Sequence, residues 1–417
     1  MTSTMLALTV GGSCAPVVTA IRDYNPDFVV FIVSTGTRGS RAMVDGKDKP
    51  CSAEDKSILP NILDQTGLPR EKCDFIELDE PDTLHLCYQK IRAGLNKHAT
   101  ERAGWRKLAD YTGGTKTMTA ALAIVALELG WELSIVRGNR TDLQKVRDGT
   151  EMASLVNTWE VRARQQMEQS ETLFNQYAYA SAGQLVENLM RAAPLSTELQ
   201  HDIQRIVTLS RGFDAWDRFD HVRALQILAP YQSEIVPQWR FLKILAGQSK
   251  GTGYEPVFDL IRNAERRAAR GRYDDAVARL YRALEMLAQI RLVQREPSLN
   301  SSDLKTDLLP EAVRAKYANR QGKIKLALQE DYDLLSELED PLGKAFEPEH
   351  KKILALLEKR NASILAHGVT PCDKAIYDEM HDGTLRLLNI GLTALNIKVE
   401  CPQFPQMKQG KLYQPSI

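Results

Sequence analysis

Asp110-Tyr111-Thr112-Gly113-Gly114-Thr115-Lys116 stands between a short hydrophobic segment and a long apolar helical stretch, and its reading decides the fold. Two glycines let the backbone turn tightly and approach an anion. Thr112 and Thr115 offer hydroxyl donors, Lys116 a charge, and a helix starting near Thr117 its unpaired N–H groups. The plainer alternative is a helix start capped by a threonine. A P-loop is excluded, because that pattern needs Gly directly before Lys and here Thr115 intervenes. Thr112, Gly113, Gly114, Thr115 and Lys116 are thus the first candidate ligand-binding residues.

Outward from this stretch, strands alternate with helices. Residues 5–10 read as a strand ending in Gly11-Gly12-Ser13, and Pro16 suits the first turn of the helix that follows. Residues 28–33, FVVFIV, form a continuous β-branched and aromatic run, which predicts a strand buried on both faces of a parallel sheet. It too ends in a polar loop, Ser34-Thr35-Gly36-Thr37-Arg38-Gly39. Residues 73–78, those before Tyr111, and 131–136 complete five strands. Such alternation implies right-handed crossovers and a doubly wound, Rossmann-like α/β sheet. Ligands sit beyond the carboxyl ends of strands in these sheets. The three loops should therefore converge on one site built from Gly11, Gly12, Ser13, Thr35, Gly36 and residues 112–116. A GxGxxG fingerprint is absent, which counts against NAD or FAD.

From about Val146 helical periodicity takes over and persists nearly to Lys398. Leu173, Phe174, Tyr177, Ala180, Leu185 and Leu189 recur at helical spacing, and Phe213, Trp216 and Phe219 form an aromatic stripe that reads as core. Residues 247–253, GQSKGTG, read as a linker. The expected division is an α/β domain at 1–147, an all-α middle region at 148–250, an all-α terminal domain at 251–400, and an irregular tail at 401–417 containing Pro402, Pro405 and Pro415. Arg262, Arg266, Arg267, Arg270, Arg272, Arg279 and Arg282 line the start of the terminal domain, many with an acidic neighbour a turn away such as Glu265 or Asp275. A salt-bridged, solvated face is the default reading, and an RNA-phosphate surface the alternative.

At 417 residues the chain can hold two or three domains. Lys+Arg 54 balance Asp+Glu 54, so any nucleic-acid contact must come from a local patch. The six cysteines lie far apart without a CxxC pair, and read as reduced thiols of a cytoplasmic protein. The longest apolar run, 117–131, contains Glu128 and is shorter than the roughly 20 residues a bilayer needs, so no membrane span is expected.

A second chemical candidate is Glu358-Lys359-Arg360-Asn361-Ala362-Ser363-Ile364-Leu365-Ala366-His367-Gly368. Arg360 and His367 are seven apart, which on a helix returns to within about 20° of one face. An imidazole can move a proton to or from a 2′-hydroxyl or a leaving oxygen, and a guanidinium can stabilise charge on phosphate. Asn361 could orient either. Arg92 and His98 also fit a loose Arg-to-His spacing, but six residues apart they point roughly 120° away from each other.

Together these features resemble the CRISPR-associated CARF/HEPN proteins of type III systems. Residues 110–118 with the following helix are similar to the CARF signature. Arg360, Asn361 and His367 match the HEPN nuclease motif of Arg, a polar residue, then His; residues 259–287 resemble the opening helices of a HEPN domain. The resemblance implies an N-terminal CARF domain that binds a cyclic oligoadenylate, tetra- or hexa-adenylate, as allosteric activator. It further implies a homodimer whose paired HEPN domains cut single-stranded RNA by 2′-hydroxyl attack, with no metal or other cofactor required. Three alternatives stay open: a sensor whose HEPN domain only dimerises or binds partners, a ring nuclease in which Ser13 or Thr35 positions a ribose hydroxyl, and a metal nuclease using Glu347 and Glu349 with Lys351.

Overall fold

The structure is a computed structural model and describes residues 2–36, 39–47, 50–52, 57–138, 140–141, 145–146, 152–156, 158–192, 195–317, 320, 322–361 and 368–414. The chain divides into two compact units, Met1–Arg162 and Ala163–Ile417.

In the first unit β1 (Thr4–Thr9), α1 (Ala15–Tyr24), β2 (Phe28–Ser34), β3 (Cys73–Leu78) and α2 (Leu84–Glu101) come first. Then follow β4 (Arg106–Asp110), α3 (Lys116–Leu129), β5 (Glu132–Arg137) and β6 (Met152–Val156). The six strands form one sheet in the order β6-β5-β4-β1-β2-β3, parallel from β1 to β5 with β6 antiparallel at the edge. Alternate residues of β2 feed two separate cores. Val30 and Ile32 pack with Met5, Ile91 and Leu122 beneath α2 and α3, whereas Val29, Phe31 and Val33 pack with Leu8, Val17 and Ile21 against α1. With both faces covered, Val29 to Val33 are all dry and Phe28 is half-buried, which is why the apolar sequence is unbroken.

The chain leaves β1 outward through β2 and β3, then returns to the other side of β1 as β4. This reversal sets a switch point between β1 and β4, where the loops after both strands face the same edge. The cysteine expectation needs correction. Cys14 and Cys51 are bonded, S–S 1.98 Å, across 37 residues. Both are buried in the α1-side core, so tertiary packing rather than any local spacing brings them together.

From Trp159 the chain is helical: α4 (Trp159–Asn175), α5 (Tyr179–Ala192), α6 (Thr197–Asp217), α7 (His221–Leu228), α8 (Val236–Leu245) and α9 (Glu255–Ala269). After α9 come α10 (Tyr273–Gln294), α11 (Leu328–Glu337), α12 (Pro341–Phe346), α13 (His350–Asn361) and α14 (Lys374–Ala394). No helix among the described residues is long and apolar enough to cross a membrane. α9 and α10 are joined by Arg270-Gly271-Arg272, where Gly271 takes φ +68° to close the turn. Phe213 and Trp216 are buried and stack at 6.4 Å, but Phe219 is 38% exposed, because α6 ends at Asp217 and Phe219 sits in the turn beyond it at φ 63°.

Asp217 accepts from Arg266 Nε at 2.7 Å and Arg267 Nη2 at 2.6 Å, tying α6 to α9. The tail also departs from expectation. Gln406–Lys408 and Lys411–Tyr413 pair as an antiparallel hairpin, β7 and β8, around Gln409 and Gly410, both at positive φ. Phe404 fixes its approach, lying 4.7 Å from the Trp216 ring and 4.9 Å from Phe213, with the Arg266 guanidinium 3.7 Å above its centroid. Burial of an aromatic ring and a cation–π contact outweigh the irregularity that Pro402 and Pro405 suggested.

Candidate functional site

The carboxyl edge at the switch point is built by the loops after β1 and β4. Gly11 and Gly114 touch there: a Cβ on Gly11 would lie 2.7 Å from the Gly114 nitrogen, and one on Gly113 would lie 2.4 Å from the Thr9 carbonyl oxygen. Thr9 Oγ1 donates to the Gly113 carbonyl at 2.6 Å, and Gly114 takes φ +89°. Only glycine fits so close a crossing of two backbones.

Asp110 stiffens the loop from below. Its Oδ1 accepts from the Thr112 N–H at 3.0 Å and its Oδ2 from the Ser134 hydroxyl at 2.7 Å. Having given its proton to Asp110, Ser134 accepts from the Tyr24 hydroxyl at 2.9 Å. Burial raises the Asp110 carboxyl, with the Thr112 and Ser134 bonds pulling it back down. Asp110 is therefore a support for the loop, 1% exposed, rather than a ligand contact.

The candidate ligand residues divide by what they are free to do. Thr115 is the N-cap of α3: its hydroxyl oxygen accepts from the Met118 N–H at 3.2 Å and donates to the Pro81 carbonyl at 2.8 Å. Thr112 Oγ1 accepts from the Val136 N–H at 2.7 Å and its side chain also bonds the Asp110 carboxylate, so this hydroxyl is engaged from both sides. Lys116 is exposed at the first position of α3, with no side-chain hydrogen bond or ion pair among the described residues. Gly12 and Ser13 are exposed ahead of α1, whose N-cap Cys14 makes no side-chain capping bond. Two helix N-termini, each equivalent to about half a positive charge, thus open on this edge. Thr35 lies one strand further along, its hydroxyl given to Asp79 at 3.0 Å, and Gly36 beside it is exposed at φ +94°. A Lys90 hydrogen bond, then the Thr35 one, hold the Asp79 carboxyl below its usual range. Thr9, Ser134 and Tyr24 carry no motif; polar residues ending or following apolar strands are their only sequence signal.

In the second unit Arg360 falls in the last turn of α13 and Asn361 is its exposed final residue. His367 and the Arg360 side chain lie outside the described residues, and with them the helical face expected to carry both. Ile353, 1% exposed, anchors α13 to the core. Further along, the Cys372 N–H donates to Asp274 Oδ1 at 3.0 Å, fixing the segment after Gly368 against the first turn of α10. Glu347 accepts from the Ser336 hydroxyl, and Glu349 lies 3.6 Å from Arg386. Among the described residues no group of three His, Cys, Asp or Glu side chains could hold a metal ion. His98, the decoy, is a core residue: 4% exposed, against the Phe28 ring, and made less basic by burial.

Two family models match the chain. The Csm6 6H domain covers residues 163–242 and the Csm6 HEPN domain residues 248–390, together more than half of the sequence. No curated protein sequence matches. Among solved structures, Enterococcus italicus Csm6 bound to cyclic hexa-2'-fluoro-hexa-dAMP shares the fold at TM-score 0.60 and 12% identity, over 95% of each chain. Can2 from Sulfobacillus thermosulfidooxidans in complex with cyclic tetra-adenylate is 14% identical over 54% of this chain and 68% of that one, but its TM-score of 0.23 carries no argument. With an α/β sheet unit ahead of the 6H and HEPN regions, the chain belongs to the CARF/HEPN proteins of type III CRISPR systems.

Proposed function

We propose that this protein is a single-stranded RNA endoribonuclease switched on by a cyclic oligoadenylate. The observation that carries the reading is that the HEPN match, 248–390, contains Arg360 and His367 at the spacing of the nuclease motif. His367 takes the proton of the attacking 2′-hydroxyl or returns one to the 5′-oxygen that leaves, and Arg360 stabilises the charge that builds on the phosphate. Asn361 orients the phosphate or the imidazole. The products are a 2′,3′-cyclic phosphate and a free 5′-hydroxyl, and no step needs a metal.

The activator binds at the CARF edge, its phosphates against the Gly11–Gly12–Ser13 and Thr112–Lys116 loops. The Csm6 that shares this fold is bound to a cyclic hexanucleotide, which supports a ring of this class. A ring with repeated phosphates suits a pocket made twice across a two-fold axis, so the active species is a homodimer with two Arg/His sets in one composite site. Activation requires the ring to bind the active arrangement more tightly than the resting one.

The test is cleavage of a fluorescent single-stranded RNA in EDTA, with cyclic tetra-adenylate, cyclic hexa-adenylate or neither, for wild type beside His367→Ala. Cleavage that needs one ring and His367 supports the reading. Absence of cleavage despite measurable ring binding overturns it, and leaves the HEPN domain a dimerisation or partner-binding module.

A further inference from the structure

The turn between α9 and α10 carries more positive charge than its carboxylates can neutralise. Arg266 and Arg267 share the single carboxylate of Asp217. Arg279 is paired with Asp275 at 3.3 Å and donates to Asn263, while the Asp274 carboxylate is given to the Cys372 N–H. Two guanidiniums are left over. Arg270 has one hydrogen bond, to the Tyr177 carbonyl at 3.3 Å, and no ion pair among the described residues. Arg272 is exposed, with no side-chain partner among them. Gly271, at φ +68°, turns the chain between the two. Burial, then the charges of Arg272 and Arg267, push the Arg270 guanidinium below its ordinary value, and the smaller opposing pulls of Asp217 and Asp275 do not make up the difference.

The same turn adjoins the segment that returns from the nuclease motif. The Cys372–Asp274 bond places that segment on the first turn of α10, and the Tyr273 and Tyr377 rings meet at 6.1 Å beside it. Gly368 is four residues from Cys372, hence within about 14 Å of it even if fully extended.

From this geometry we infer that Arg270 and Arg272 form a phosphate-binding fork that holds the backbone of the single-stranded RNA substrate beside the motif segment. The inference rests on the ribonuclease reading for the identity of its ligand. Guanidiniums without carboxylate partners are available to phosphate at no cost of breaking an existing ion pair. The contacts are made to the backbone, so they add affinity for any sequence and select none. They are positioning residues and take no part in the proton transfers.

The experiment measures binding of a labelled single-stranded RNA to the full-length His367→Ala protein across a salt series, beside the same protein carrying Arg272→Ala, Arg272→Lys, or Arg270→Ala with Arg272→Ala. The expected result is a severalfold loss of affinity for Arg272→Ala and a tenfold or larger loss for the double variant. The slope of log K against log salt should shallow by about 0.7 per contact removed, and Arg272→Lys should retain most of the affinity. Arg272 has no side-chain partner to lose, so its variants keep the wild-type melting temperature. Unchanged affinity and slope in both Ala variants would overturn the inference, as would a lack of RNA binding by the parent protein. Activator-dependent cleavage by the protein with His367 intact is read in parallel. Cleavage retained alongside unchanged binding removes the fork and spares the ribonuclease; weakened binding without any cleavage keeps the fork and removes the ribonuclease.

Discussion

Gly11 and Gly114 pack backbone against backbone, a Cβ on Gly11 falling 2.7 Å from the Gly114 nitrogen, so the loops after β1 and β4 set each other's position. Gly11→Ala must push the loops apart, at a cost of about 1–3 kcal/mol. Gly12 is the control, since a Cβ there meets nothing within 4 Å. Calorimetry should show a lowered melting temperature for Gly11→Ala and little change for Gly12→Ala, with weakened cyclic oligoadenylate binding in the former.

Lys116 and Thr115 are neighbours with opposite expected behaviour. Lys116 has no side-chain partner among the described residues, so Lys116→Ala should leave melting unchanged and weaken the activator tenfold or more, as read by titration calorimetry. Thr115→Ala loses the cap of α3 and the bond to the Pro81 carbonyl, and should destabilise the fold by about 1–2 kcal/mol. Unchanged activator affinity in Lys116→Ala would sink the pocket assignment.

Arg360→Ala and His367→Ala should each lower the cleavage rate by roughly 100-fold or more, the scale of lost proton transfer or phosphate stabilisation. Activator affinity should be that of the wild type in both. Single-turnover cleavage beside ring binding separates the two readouts.

Asp331, fully buried in α11, titrates where few carboxylates do: burial pushes its carboxyl up to about 7, with Glu285 and Glu330 adding to the effect. Its folded pKa exceeds its unfolded one, so the fold binds the proton more tightly than the unfolded chain. Stability therefore falls as pH rises from about 4 to about 7, and the full cost, roughly 4 kcal/mol, stands above that range. Asp331→Asn should flatten this part of the stability profile and raise the melting temperature at pH 8, and denaturant titrations at pH 5.5 and 8 would read both.

The sheet was legible because burial on both faces leaves a mark in one short run, Phe28 to Val33, and because strand ends announce themselves as glycine and threonine loops. What the loops do was only half legible. The hydroxyls of Thr112 and Thr115 looked like ligand donors, but Val136 and Pro81 from other elements engage them, and Thr115 reads as the plainer cap. The Cys14–Cys51 bond and the seat of Phe404 were hidden for a related reason: each partner is supplied by a distant part of the chain. Arg270 and Arg272 stood out only once Arg262, Arg266, Arg267 and Arg279 around them were seen to be paired.

Phe404 also sets an order of events during synthesis. The ring that fills the space between Trp216, Phe213 and Arg266 leaves the ribosome after every helix it braces. Until then Arg266 has only Asp217 beneath it and the aromatic floor of α6 is open to water. A chain truncated before Phe404 should thus be cut by protease within 197–269 faster than the intact chain, so the helical unit gains its protease resistance only once Phe404 has emerged and packed.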